Sequence, residues 1–142
     1  MNVLNNKIPM KYLLITGRIL FSLIFLLTVV SHFNQETIDY AAAQGVPAAS
    51  FLVPFSAVIA FIGGLCIAIG YRTKTGGLLI LIFLVPVTIY MHAFWKETDP
   101  MKKKMQMGNF MKNVSLMGAA LLITCFGGES LESEKNYKNN NK

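Results

Sequence analysis

Four long stretches of this chain contain no Asp, Glu, Lys or Arg: residues 19–35 (17 residues), 40–71 (32), 75–95 (21) and 113–128 (16). A helix at a water interface needs a polar face, and none of these stretches supplies one. Charged residues are only 14% of the 142, against about 25% in ordinary globular proteins, and 54% are hydrophobic. This excludes a secreted disulfide scaffold, a disordered tail protein and a water-soluble enzyme. The apolar runs are continuous rather than alternating, so a β-barrel is excluded as well. The length allows one domain. The expected fold is an all-α, integral membrane four-helix bundle.

About 20 mostly apolar residues cross a bilayer as a helix. Four segments qualify, at about 12–33, 51–70, 75–95 and 109–126, followed by a polar, Asn- and Lys-rich tail at 127–142 that composition predicts to be disordered. Residues 1–142 are therefore expected to form one transmembrane domain. Lys7, Lys11 and Arg18 before an apolar run resemble a signal peptide, but Ala41-Ala42-Ala43 lies too far downstream for cleavage, so the first span is expected to be retained.

Loop charge predicts the orientation. With the N-terminus inside, the cytoplasmic side holds Lys7, Lys11, Arg72, Lys74, Lys135, Lys138 and Lys142, and the other side Lys96, Lys102, Lys103 and Lys104. Seven against four favours both termini in the cytoplasm. The net charge of +6 does not point to nucleic acid. The one dense run, Lys102–Lys104, lacks interleaved aromatics and reads as a juxtamembrane, lipid-facing cluster. Cys66 and Cys125 form no C-x-x-C motif and are expected to be packing residues, with no metal site.

Small residues predict helix contacts. Ser56, Ala60, Gly64 and Ala68 recur every four residues along one face of the second span, where they allow close approach of another helix. Pro86 falls inside the third span and is expected to bend it.

Polar residues within the apolar layer are the candidate functional groups. His32 ends the first span, His92 the third, and Lys112 and Asn113 open the fourth. The topology brings all four to a similar depth under one face, flanked by Tyr90 and Trp95. Interfacial anchoring accounts for each singly; convergence would make a pocket for an anion or an amphipathic head group. Arg18 sits apart, roughly 9 Å into the first span from the opposite side. There an unpaired arginine costs at least about 3 kcal/mol.

Several short motifs resemble the DoxX family of small four-helix bacterial membrane proteins. They are Gly17-Arg18-Ile19-Leu20, Gly45-Val46-Pro47, and Gly63-Gly64 to Gly70 followed by Tyr71-Arg72-Thr73. His92-Ala93-Phe94-Trp95, Phe110-Met111-Lys112-Asn113 and Gly127-Gly128 complete the ordered set, from Ile15 to Ser130. The resemblance departs at Ala60, where the family usually has a glutamate suited to pair with Arg18, and at His32, near a usual lysine.

The resemblance implies a component of the bacterial inner membrane in a redox, oxidative-stress or sulfur-metabolism system. Such a component would have no cofactor of its own, a redox enzyme as partner and a quinone as possible ligand. The alternative asks less of the residues: a non-enzymatic membrane scaffold, or a binder and carrier of small amphipathic molecules. A likeness of fold class to eukaryotic membrane proteins that bind sterols or receive cargo is analogy only. An ion channel finds no support, since four short helices offer neither filter nor acidic proton path.

Overall fold

A computed structural model describes residues 10–127. The polar tail beyond Gly127 lies outside the described residues, as do Lys7 and the three tail lysines. The chain forms α1 (Met10–Leu27), a 3-10 turn (Val30–Phe33), α2 (Gln35–Ala43), α3 (Ala49–Ile69), α4 (Thr73–Met91), a second 3-10 turn (Phe94–Lys96) and α5 (Pro100–Phe126). Among the described residues there is no strand. Four segments are long and apolar enough to cross a membrane: Lys11–Phe33, Ala49–Ile69, Thr73–Lys96 and Pro100–Phe126. Their outward faces are apolar. Leu20, Leu27, Phe51, Ile69 and Leu122 are each more than three-fifths exposed, a surface suited to lipid and ruinous in water. The molecule is a multi-pass helical membrane bundle.

The four long helices pack in the order α1, α3, α4, α5. Phe25 of α1, Ala60 and Ile67 of α3, Ile80, Phe83 and Leu84 of α4, and Ala120 of α5 form the main core. Because lipid is as apolar as leucine, close van der Waals contact holds such helices together, and small residues permit it. A Cβ on Gly76 would stand 2.8 Å from the Gly63 carbonyl oxygen and 2.9 Å from Ile67. One on Gly77 would run into Thr124 and come within 2.9 Å of the Ala120 oxygen. Adjacent glycines thus let α4 touch α3 on one side and α5 on the other. Of the small-residue stripe on α3, Ala60 and Gly64 are buried and Ser56 and Ala68 half-buried. Gly64 faces α1, where a Cβ would meet that of Phe25 at 3.2 Å. Cys66 is half-buried, and Cys125 is exposed.

Two elements differ from the sequence expectation. The fourth transmembrane helix begins at Pro100, nine residues before Asn109. Asp99 caps it by accepting the Lys102 N–H at 2.8 Å, and proline at the first helical position loses no hydrogen bond there. The connection between the first two spans is also structured. Its α2 buries Ile38 and Ala41 and leaves Glu36 and Asp39 exposed. With Ala49, Val53, Val46 and Met91 these residues make a second, smaller core. The helix lies as a roof over one end of α3.

Candidate functional site

Beneath that roof, α3 and α4 enclose a cavity of about 450 Å³. The two helices touch at Gly63 and Gly76, towards the opposite end of the bundle. At the cavity end each carries a proline, Pro54 and Pro86. A proline removes one helical hydrogen bond and forces its helix away from ideal geometry. Pro86 lines the cavity beside Ile82, the residue whose carbonyl it leaves without its helical N–H partner.

The walls are almost wholly apolar. Phe55, Ile82 and Pro86 line the space and are themselves exposed on the outer surface, so the cavity opens sideways towards lipid. The lining residues farthest from the roof, Ile59 and Ile82, are the middle residues of the 21-residue α3 and the 19-residue α4. The cavity therefore runs from the roof about halfway along the helices. Its polar groups gather at the roof end, as His32, Thr37, Tyr90 and His92, with Ser56 lower down.

Both histidines are held by their Nδ1 atoms. That of His32 lies 2.8 Å from the Thr28 carbonyl oxygen, and the ring packs edge-on against Phe83, 5.9 Å between centroids. That of His92 lies 2.8 Å from Oε1 of Gln106, whose amide nitrogen donates to the Tyr40 hydroxyl at 3.1 Å. A buried glutamine thus ties the end of α4 to α5 and to the roof. Phe94, Trp95 and Phe110 stack edge to face, 5.2 to 5.8 Å apart, and brace the same corner.

The other expected site residues lie elsewhere. Gln106, Asn113 and Ala120 are the buried residues of α5, spaced by sevens along one face. Asn113 is buried on that seam outside the cavity lining, and its side chain makes no hydrogen bond among the described residues. Lys112, one position and about 100° around the helix, is exposed and reaches only Asn109 Oδ1 at 3.4 Å. Arg18 is buried at the far end of the bundle, where its Nη2 donates to the Gly127 carbonyl at 3.1 Å. Ala60, at the position of the expected glutamate, is part of the core; a backbone carbonyl serves Arg18 instead. Among the described residues no group of three His, Cys, Asp or Glu side chains could hold a metal ion.

Gln106 and Tyr40 carry no mark in the sequence, where the fourth apolar span begins only at about residue 109. The available signal is Asp99-Pro100, a capping pair that starts the helix early and puts Gln106 on the Asn113 seam.

A roofed lateral cavity in a lipid-facing helical bundle defines a multi-pass membrane protein with an internal cavity at one end. The chain belongs to the SURF4 family, which it matches over residues 2–139. It is similar to the ER-derived vesicles protein ERV29 of Saccharomyces cerevisiae, 28% identical over 127 residues, covering 89% of this chain and 34% of that protein. The chain thus spans about a third of that relative. It is also similar to the inner membrane protein YphA of Escherichia coli, 26% identical over 99 residues and 70% of each chain. No solved structure matches.

These findings correct the family and the function expected from sequence. The chain is a SURF4-family protein, not a DoxX protein, and the redox component with a redox-enzyme partner falls with that assignment. The misleading motifs are runs of two to four mostly small or apolar residues, which a chain 54% hydrophobic supplies readily. Lipid contact stands.

Proposed function

We propose that the chain is a non-enzymatic membrane protein that binds and carries small amphipathic molecules in the cavity between α3 and α4. The cavity itself carries this reading. At about 450 Å³ it has the size of a small-molecule site, its walls suit an apolar body, and its roof end suits a polar head. His32 and His92 are the head-facing groups. Lys112, Asn113 and Arg18 have no part in the site.

The proposal includes one transmembrane domain over residues 1–142, in a bacterial inner membrane, with both termini cytoplasmic. The name of the Escherichia coli relative supports the membrane. The name of the yeast relative concerns vesicles, which suits a membrane carrier better than a redox subunit.

Solvent extraction of the purified protein followed by mass spectrometry tests this reading. A stoichiometric amphiphile is expected in the native chain. Ser56→Trp, which fills the cavity, is expected to lose most of it, and Leu65→Trp, on the exposed side of α3, to keep it. An empty native protein, or equal occupancy in both variants, overturns the proposal.

A further inference from the structure

The hydrogen bonds already made at the roof decide what the cavity has left to offer. A backbone carbonyl only accepts, so the contact between His32 Nδ1 and the Thr28 oxygen puts the ring proton on Nδ1. At His92 the atom facing Nδ1 is the amide oxygen of Gln106, which only accepts, and in that arrangement Nδ1 again carries the proton. A neutral imidazole has one donor and one acceptor. With Nδ1 engaged as donor, each ring keeps Nε2 as a bare acceptor, and neither Nε2 has a partner among the described residues. Ser56 is in the same condition: its hydroxyl donates to the Val53 carbonyl at 2.8 Å and retains only lone pairs. The Thr37 and Tyr90 hydroxyls serve as either donor or acceptor. No Asp, Glu, Lys or Arg lines the cavity, so an ionised head would be buried without a counter-charge, at heavy cost.

We infer that the cavity selects an uncharged amphiphile headed by a hydroxyl group, a neutral lipid alcohol. Its O–H is donated to Nε2 of His92 or His32, and its apolar body lies along α3 and α4 towards Ile59 and Ile82. This rests on the binding function proposed above and adds the head-group chemistry. At the two histidines and Ser56 a carboxylate or a quinone brings acceptors to acceptors, and only the Thr37 and Tyr90 hydroxyls are left to donate to it. An ester of the same chain has no donor to give.

The test uses the full chain in nanodiscs of phosphatidylethanolamine and phosphatidylglycerol, titrated with radiolabelled oleyl alcohol, methyl oleate, oleate and decylubiquinone. Oleyl alcohol is expected to bind about tenfold more tightly than methyl oleate, the worth of one net hydrogen bond in an apolar site. In the double variant His32→Phe, His92→Phe the alcohol falls to the level of the ester, while ester binding persists. Equal affinity of alcohol and ester in the native chain overturns the inference but leaves the binding function standing. Tighter binding of oleate or decylubiquinone does the same. If none of the four binds, the binding function fails and the inference with it. A second measurement needs no ligand. The chain has only two histidines, and ¹⁵N spectra of the histidine-labelled protein are expected to show both as the Nδ1–H tautomer. An Nε2–H signal from either ring overturns the assignment.

Discussion

An arginine in the apolar layer is tolerable only where its donors meet acceptors, and Arg18 meets them at helix ends. Gly127 caps α5 and accepts from Nη2; Gly70 caps α3, and its missing Cβ would stand 2.7 Å from Nη1. Helix C-termini collect unpaired carbonyls and the negative end of the helix dipole, a natural setting for a cation. Thr73 donates to the same Gly127 oxygen at 2.7 Å. Arg18→Leu is expected to cost about 2 kcal/mol, as loss of a charged hydrogen bond does. Gly70→Ala is expected to cost at least about 1 kcal/mol, because its φ of 82° suits glycine and its methyl would displace the guanidinium. Unfolding midpoints in mixed detergent check both, and unchanged midpoints would show that the contact holds nothing. The depth of Arg18 is legible in the sequence. Its partner is not, because a backbone carbonyl 109 positions away has no side-chain signature.

Among the helices, the seam between α3 and α4 depends on contacts too short for any side chain. Gly76→Val is expected to force α4 off α3 and to lower the yield of folded protein several-fold. Gly118→Val, on a helical position with nothing within 4 Å, is expected to leave it unchanged. Size-exclusion profiles after membrane extraction give the comparison, and equal yields would mean that the seam is loose. The four spans and the small-residue face of α3 are legible because composition and four-residue spacing suffice to find them. The nine-residue α2 is not. Only Ile38 and Ala41 mark its buried side, and a segment that short and polar reads as a loop. The site residues divide for a similar reason. Span ends fix depth, and depth alone sets His32, His92, Lys112 and Asn113 level with one another. Position around each helix then separates Lys112 and Asn113 from the cavity, and that depends on which face of α5 meets its neighbours.

For the molecule as a whole, four crossings bring the start of α1 and the end of α5 to the same face, as the Arg18–Gly127 contact requires. With the proposed cytoplasmic termini, the roof lies outside. In a background without Cys66 and Cys125, a membrane-impermeant maleimide is expected to label Lys103→Cys on intact cells. Lys74→Cys is expected to react only after permeabilisation. The reverse pattern would invert the protein and turn the cavity inward. Either way, the cavity stops at Ile59 and Ile82, the midpoints of their helices, and this has a consequence for transport. On the function proposed above, an occupant would enter and leave through one leaflet only. A protein working in this way would exchange molecules sideways within a single monolayer, drawing on the composition of that layer and blind to the other, and the cavity itself offers no passage from one to the next.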